Sequence, residues 1–244
     1  MNKDNNLISV LLPVYNAESF IAKSIKSILD QSYKNFELII INDGSTDKSL
    51  KICEEFKQKD DRIIVLNKQN EGLTKALNFG IQHSSGYYIA RQDADDISLR
   101  NRFQTQINFI KNNNLILCGT NCKIIKKNKK KINWSIEFSH KKITKKLEYS
   151  NCFVHSSVIF KKEFAKQVNF YDESLRFAQD YDLWWKLSLI GKVGNIKEKL
   201  IIYNQHDSSI SSTQQNDQIS CFINSAIKYY FFKNYALNYK DFKF

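Results

Sequence analysis

The sequence has little glycine and proline, and it lacks the glycine-rich loops that cradle phosphates in common nucleotide-binding enzymes. It holds seven glycines and one proline in 244 residues. The segment after the first predicted strand reads PVYNAES, which contains neither G-x-G-x-x-G nor G-x-x-x-x-G-K-[ST]. A nicotinamide or flavin dehydrogenase and a P-loop enzyme are therefore not expected. No Pro/Gly/Ser linker and no internal repeat interrupts the chain, which predicts one continuous domain over residues 1–244.

Long hydrophobic runs and cysteine pairs are also absent. The first residues are polar, and no apolar stretch of signal-peptide length follows them. The nearest apolar run, LIII at 38–41, is far too short to span a bilayer. The five cysteines include no C-x-x-C pair, so free thiols in a reducing compartment are expected. These features predict a cytoplasmic protein.

Negative charge is scarce, because 25 acidic residues face 37 lysines and arginines and the formal net charge is +12. Ten of the lysines lie in the segment 123–146, which holds a single acid, Glu137. Two interpretations stay open for this lysine patch: a solvated hairpin, or attraction of the patch and the C-terminal tail to an anionic membrane surface. Nucleic acid is not an expected partner, because the patch contains no arginine to read bases.

The first half of the chain alternates between strand-like and helix-like segments. Repeated βα units predict a parallel sheet with helices on both faces, and right-handed crossovers bring the carboxyl ends of the strands to one edge. Ser98 is predicted to cap the fourth helix, which carries Phe103, Ile107 and Ile110. The predicted strands are 7–14, 36–43, 62–67 and 87–91, and the first three helices are 18–32, 47–59 and 74–84.

The second half is less regular. A C-terminal amphipathic helix is predicted to run into a basic aromatic tail within 211–244. The remaining predicted pieces are short strands at 115–120, 132–138, 153–160, 193–196 and 200–203, with helices near 163–168 and 181–190.

Three aspartates crowd the loop after the fourth strand, at the edge where open α/β sheets bind ligands. Asp93, Asp95 and Asp96 fall within four positions of a basic chain. Carboxylate oxygens suit Mg²⁺ or Mn²⁺, and such an ion would remove the mutual repulsion of the acids and attract a diphosphate. The alternative, acids at a helix start that complement the macrodipole, accounts for Asp96. It leaves Asp93 unexplained, so the loop predicts a metal and phosphate site.

Other polar residues leave alternatives open when each is taken alone. Asp43 precedes a glycine, so it fits an Asx turn as well as a hydrogen-bond acceptor for a base or ribose. Asp180 stands where a helix N-cap belongs, but an exposed carboxylate there could also act as a general base. His155 and His206 each follow a strand-like run, and each fits a structural role as well as a ligand role.

Together these segments resemble the inverting nucleotide-sugar transferases of glycosyltransferase family 2. The resemblance covers about Ile8 to His206, and it rests on SVLLPVYNAESFIAKSIKSILDQSYKNFELIIINDGSTDKS, NEG at 70–72, ARQDADD at 90–96 and AQDYDLWWKL at 178–187. It implies the α/β GT-A fold, a Rossmann-like, mostly parallel sheet flanked by helices. In this arrangement residues 1–114 form the nucleotide-sugar-binding half, and about 115–210 form an irregular acceptor and catalytic half.

The resemblance also implies a role for each matching residue. Asp180 would be the catalytic base that deprotonates the acceptor hydroxyl. Asp95 would ligate Mn²⁺ or Mg²⁺, Asp93 would contact the ribose or the metal, and His206 would be a further metal ligand in a loop over the donor phosphates. The implied donor-binding residues are Pro13, Val14, Tyr15, Asn16, Glu18, Asp43, Asn70, Gly72, Arg91, Asp93 and Asp95.

Two positions depart from the family pattern. Gln179 replaces a usual glutamate, which removes one acid near the acceptor. Asn204 replaces a frequent arginine, which removes one phosphate contact.

The implied activity moves a hexosyl or N-acetylhexosaminyl group from a UDP-sugar to a hydroxyl of a growing bacterial surface glycan or lipid-linked oligosaccharide. It implies an enzyme at the cytoplasmic face of the inner membrane. One alternative is a sugar-phosphate nucleotidyltransferase, which is expected to carry a glycine- and arginine-rich loop where this chain has PVYNAES. Another is a non-catalytic glycan-binding module.

Overall fold

A computed structural model describes residues 6–126, 136–205 and 215–234 of the protein. Across these residues, eight strands form one sheet in the order β3-β2-β1-β4-β7-β6-β8-β5. The strands are β1 Ile8–Val14, β2 Phe36–Asp43, β3 Ile63–Lys68, β4 Tyr88–Arg91, β5 Ile97–Ser98, β6 Leu117–Lys126, β7 Ile159–Lys161 and β8 Val193–Gln205. The α-helices are α1 Ile21–Leu29, α2 Ser49–Lys57, α3 Leu73–Gln82, α4 Arg102–Asn113, α5 His140–Lys146, α6 Lys162–Gln167, α7 Gln179–Ile190 and α8 Gln215–Asn234.

The first four strands confirm the predicted parallel arrangement. β1 pairs in parallel with β2 and β4, and β2 pairs in parallel with β3. Every residue of β1 is buried, because helices cover both faces of this part of the sheet. Asp43 ends β2 and Arg91 ends β4, so the parallel register brings these two polar residues to one edge.

The rest of the sheet is mixed and departs from the predicted pieces. β7 pairs antiparallel with both β4 and β6, while β8 pairs in parallel with β6 along the whole of that strand. The predicted strands 193–196 and 200–203 are parts of the single strand β8. Residues 136–138 are not a strand, and 132–135 lie outside the described residues.

The predicted strand 153–160 is wrong for most of its length. Residues His155–Ser157 form a 3₁₀ turn, and only the end of the segment joins β7. Ser157 explains the break: its hydroxyl donates to the Val154 carbonyl at 2.8 Å and accepts from the Thr120 amide at 3.1 Å. A serine side chain that bonds nearby backbone groups in this way competes with strand pairing.

Two apolar clusters lie on opposite faces of the sheet. One contains the buried faces of α1, α2 and α4, which pack on the β1 and β2 side chains Val10, Leu12 and Leu38. The other contains α3, α7 and α8, with Trp184 and Trp185 fully buried in it. No helix in residues 6–126, 136–205 or 215–234 is both long enough and apolar enough to cross a membrane.

Ser98 does not cap α4, contrary to the prediction. It lies in the two-residue strand β5, opposite Ile201 of β8, and α4 begins four residues later at Arg102. Its hydroxyl donates to Gln92 Oε1 at 2.7 Å and accepts from Arg102 Nη1 at 2.8 Å. Arg102 is fully buried and also donates to the Arg91 carbonyl. This buried network fixes both ends of the loop that carries the three aspartates, because an unpaired buried polar group would cost about 1–3 kcal/mol.

Candidate active site

The aspartate loop, residues 92–96, leaves the carboxyl end of β4. The Asp93 side chain is 32% exposed, and its Oδ1 lies 2.6 Å from Arg91 Nη1. Asp95 is half-buried, and its carbonyl accepts from Asn204 Nδ2 at 2.5 Å. The Asn204 amide also donates to Asp96 Oδ1 at 2.9 Å. Asn204, which replaces the expected arginine, therefore ties the end of β8 to the aspartate loop.

Asp96 is not a helix-start acid, contrary to the prediction. It is fully buried, α4 begins six residues after it, and its other oxygen accepts from the Ser156 hydroxyl. Burial raises the pKa of Asp96 well above its ordinary value, and the negative charges of Asp93 and Asp95 raise it further. The carboxylates of Asp93 and Asp95 are thus close enough to Asp96 to oppose its ionisation.

The carboxylates of Asp93 and Asp95 fit a divalent ion that the substrate helps to coordinate. Among the residues that the structure describes, no group of three or more His, Cys, Asp or Glu side chains is placed to hold a metal. Mg²⁺-type ions commonly use one or two carboxylates and take their other ligands from substrate phosphates and water. His206, the third predicted ligand, lies outside the described residues.

Arg91 lies beneath the aspartate loop with most of its hydrogen-bonding capacity unused. Its side chain is 1% exposed and pairs with Asp93, but Nε and Nη2 have no hydrogen-bond partner among the described residues. Burial lowers the pKa of His155 and the charge of Arg91 lowers it further, while burial raises the pKa of Asp180 and the charge of Arg91 opposes part of that rise. Arg91 is therefore within electrostatic range of both the aspartate loop and Asp180.

Asp180 is the second residue of α7 rather than its N-cap. The capping position belongs to Ala178, whose φ of 58° is left-handed and costs an alanine about 1–2 kcal/mol. Asp180 Oδ2 accepts from Asn151 Nδ2 at 2.8 Å. Burial raises the pKa of Asp180, while hydrogen bonds from the Tyr181 backbone and Asn151, and the charge of Arg91, oppose that rise. A carboxylate with a raised pKa is a stronger base than an ordinary aspartate.

Asn151→Ala is expected to lower kcat/KM for donor cleavage about tenfold. The variant loses one hydrogen bond to a charged group, which contributes about 1.5 kcal/mol, and that free energy corresponds to a factor of about ten in rate. Asn151 Nδ2 donates to the ionised carboxylate, so its removal raises the pKa of Asp180 further. The acid limb of the pH–rate profile should then move to higher pH, which steady-state kinetics across a pH series would detect. Asn108→Ala, on the exposed side of α4, is the control and should keep the wild-type profile.

Asn151 and Tyr171 are site residues that the sequence did not reveal. Asn151 is 29 positions from Asp180, and no motif connects the two. The Tyr171 hydroxyl lies 3.1 Å from His155 Nε2, and both side chains pack against Trp184. Burial, followed by the charge of Arg91, lowers the pKa of His155 well below its usual value. His155 is thus a neutral, hydrogen-bonded side chain at pH 7.

The predicted donor loops after β1 and β2 hold each other in place. Asn16, with φ of 48°, accepts from the Thr46 amide at 2.8 Å through its side chain. Glu18 accepts from the Lys48 amide at 2.9 Å, and its own amide donates to Asp47 at 3.0 Å. Tyr15 is 55% exposed, so its ring is available to a flat ligand such as a base. Pro13 and Val14 are buried at the end of β1.

Asp43 fixes the neighbouring loop that contains Asn70 and Gly72. One of its oxygens accepts from the Glu71 amide at 3.0 Å and pairs with Lys68, while the other accepts from the Gly72 amide at 2.9 Å. Gly72, at φ of 90°, is the N-cap of α3, and nothing lies within 4 Å of where a Cβ would stand. Asn70 is exposed, and its backbone lies against Gly44 in the loop after β2. Asp43 and Gly72 are thus held together at the edge of the sheet where β2 ends.

A comparison with known protein families covers the loops at this edge of the sheet. A family model described as glycosyl transferase family 2 matches residues 9–168, which include the loops after β1, β2 and β4. The chain belongs to glycosyltransferase family 2. It is also 32% identical over 238 residues to the O-antigen biosynthesis glycosyltransferase WbnJ of Escherichia coli, and the match covers 95% of this chain and 88% of WbnJ.

Two solved structures share the GT-A fold with this family 2 member. TarS 1–349 of Staphylococcus aureus, in complex with UDP-GlcNAc, aligns with a TM-score of 0.75 at 19% identity, over 91% of this chain and 66% of TarS. The mannosyltransferase PcManGT of Pyrobaculum calidifontis, in complex with GDP-Man and Mn²⁺, aligns with a TM-score of 0.69 at 15% identity, over 91% and 64%. The predicted α/β GT-A fold is confirmed. The chain spans about two thirds of both solved chains.

Proposed function

We propose that the protein is an inverting, divalent-metal-dependent glycosyltransferase that uses a UDP-sugar. The acceptor is a hydroxyl of a bacterial surface polysaccharide or lipid-linked oligosaccharide. One observation carries this proposal: Arg91, at the end of β4, is buried with Nε and Nη2 lacking a hydrogen-bond partner among the described residues, and its Nη1 pairs with Asp93 of the aspartate loop. TarS, whose solved complex contains UDP-GlcNAc, and WbnJ, named for O-antigen biosynthesis, support the choice of donor and acceptor.

In the proposed reaction the acceptor oxygen attacks the anomeric carbon from the side opposite the diphosphate. Asp180 takes the hydroxyl proton as the new C–O bond forms, and UDP departs with the electrons of the bond that breaks, which inverts the anomeric configuration. The raised pKa of Asp180 suits this role, because a general base works best when its pKa approaches the working pH. Asn151 holds the carboxylate in position through its amide.

Asp93 and Asp95 would hold Mn²⁺ or Mg²⁺, which when bound supplies positive charge to the diphosphate oxygens. With only these two carboxylates proposed as ligands, the diphosphate oxygens and water would complete the coordination of the ion. Arg91 Nε and Nη2 are buried donors without partners in the described residues. A ligand oxygen that accepts from them would remove the free-energy cost of leaving buried donors unpaired. We assign Arg91 to the donor side on that basis.

The donor pocket is proposed to lie between the loops after β1, β2 and β3. Tyr15 offers an exposed ring to the base, and Asp43 fixes the loop after β3 by accepting from the Glu71 and Gly72 amides. Asn16 and Glu18 hold the first two loops together rather than presenting free side chains, because their carboxylate and amide oxygens already accept from the Thr46 and Lys48 amides.

A panel of nucleotide sugars tests the function directly. Purified protein with Mn²⁺ is expected to release UDP from one or a few UDP-hexoses or UDP-N-acetylhexosamines, and to leave GDP- and CDP-sugars largely intact. With the matching acceptor, proton NMR of the first product should show the anomeric configuration opposite to that of the donor. Retention of configuration would contradict the role of Asp180. Release from GDP-sugars alone would contradict the choice of UDP, and formation of a nucleotide sugar from UTP would favour a nucleotidyltransferase.

A further inference from the structure

The C-terminal helix α8 exposes an apolar stripe although the other side of the helix is well packed. Ile219, Ile223, Ile227 and Tyr230 are each between 48% and 55% exposed. Their spacing of four, four and three residues places them on one face over three turns. Exposed side chains around this stripe, such as Ser220, Asn224 and Asn234, are uncharged.

The inner face of α8 is fixed to the body of the protein. Trp185 Nε1 donates to the Ser225 hydroxyl at 2.8 Å, and the rings of Trp185 and Phe232 stack with centroids 5.7 Å apart. The Tyr229 hydroxyl donates to the Thr144 carbonyl of α5 at 2.9 Å. The helix is therefore held in a defined orientation, and its outer stripe is a stable surface rather than a frayed end.

The charge of the protein indicates what can cover this stripe. A second copy of the chain would bring together two molecules of formal charge +12, which repel each other. Helix α5, which contacts α8 through Thr144, carries the exposed lysines Lys141, Lys142 and Lys145. An exposed apolar helical face, on a helix that contacts a lysine-bearing helix, matches the interface of an anionic bilayer, where apolar side chains enter the headgroup boundary and lysines meet lipid phosphates.

Helix α8 packs against α7 next to Asp180. Phe222, between Ile219 and Ile223 in sequence, packs its ring 4.5 Å from that of Tyr181. Tyr181 directly follows Asp180 in α7. We propose that the outer face of α8 docks on an anionic lipid bilayer and so holds the protein with its acceptor side at the membrane surface. Docking itself does not depend on the proposed donor, whereas the placement of the acceptor side rests on the proposed role of Asp180.

Sedimentation with lipid vesicles tests this proposal on the full chain. Vesicles of phosphatidylcholine with about one third phosphatidylglycerol are expected to bind the protein, and binding should weaken steeply with salt. Ile223→Ser with Ile227→Ser should lower the partition coefficient at least about tenfold, since both side chains lose apolar contact with lipid. Lys141→Glu with Lys145→Glu should lower it by a similar factor on the anionic vesicles and leave the weak binding to pure phosphatidylcholine unchanged.

Leu99→Ser is the matched control, because Leu99 is an exposed apolar residue distant in sequence from α8, and it should keep wild-type binding. Ile219→Ser with Tyr230→Ser disrupts the same stripe through different residues. This second variant replaces the first in the test if Ile223→Ser with Ile227→Ser does not fold. Circular dichroism and thermal unfolding of each variant report folding separately from docking. Equal vesicle binding by wild type and both stripe variants would overturn the proposal. So would a wild-type dimer in sedimentation velocity that Ile223→Ser with Ile227→Ser converts to monomer, which would assign the stripe to a second copy.

Discussion

Asp180→Asn is expected to lower kcat about 10²–10⁴-fold, the range that general-base catalysis supplies, while the affinity for UDP stays at the wild-type value. Asparagine keeps the shape of the side chain and an oxygen that can accept from Asn151, so the site should keep its geometry. The variant loses only the ability to take a proton from the acceptor. UDP release under saturating donor and a separate UDP titration measure the two quantities.

The acid limb of the pH–rate profile tests the role of Asp180 separately. Burial raises the pKa of this carboxyl above its ordinary value, so the wild-type rate should fall, as pH decreases, at a higher pH than an exposed aspartate would give. In the Asn variant the remaining activity should lack this acid limb. Asp172→Asn, a half-buried aspartate whose carboxylate accepts from Ser174, is the control and should retain both rate and profile. Turnover near wild type in Asp180→Asn with the correct acceptor would exclude Asp180 as the base.

His155 is the competing base in this region, and its environment argues against it. Burial and the charge of Arg91 both lower the pKa of His155, which makes the imidazole a weak proton acceptor. Its Nε2 is already within hydrogen-bond distance of the Tyr171 hydroxyl. The environment of Asp180 has the opposite effect, since burial makes that carboxylate more basic.

The first half of the fold could be predicted from the sequence because its signal is local. β1 and β2 are nearly continuous apolar runs, and the apolar positions of α1 recur at helical spacing, so each element carries its own pattern. The 153–160 segment shows where that reasoning stops. It is as apolar as a strand, but the hydrogen bonds of Ser157 to Thr120 and Val154, one of them 37 residues away in sequence, turn the chain instead.

Part of the candidate site could also be predicted from local sequence, and part of it could not. Asp43, Arg91 and the aspartate loop could be located because parallel strands bring their carboxyl ends to one edge. The contact of Asn151 with Asp180 and that of Asn204 with Asp95 could not, because each pair is joined only by tertiary packing across 29 and 109 residues. Asp96 was misjudged because β5 separates it from α4, and a two-residue strand leaves no periodicity to detect.

Asp95→Ala is expected to abolish the stabilisation of the protein by UDP and a divalent ion together. A ligand at one hundred times its Kd stabilises the folded state by about 2.7 kcal/mol, which for a domain of this size raises Tm by roughly 5–10 °C. The rise should need Mn²⁺ or Mg²⁺, because the diphosphate and the aspartate loop are both negatively charged and repel each other without a cation. Thermal unfolding with UDP, with metal, and with both measures the effect.

The controls for Asp95→Ala separate loss of the metal from loss of the fold. Asp61→Ala removes an exposed aspartate before β3 and should keep the full shift. The Asp95 carbonyl, which accepts from Asn204, survives in the alanine variant, so the tie between β8 and the loop is retained and the Tm without ligand should change little. Removal of one of the two charges that raise the pKa of Asp96 also relieves repulsion within the loop, so any change in that Tm should be small or upward. A rise in Tm with UDP that persists in Asp95→Ala without added metal would contradict the assignment of Asp95 as a metal ligand.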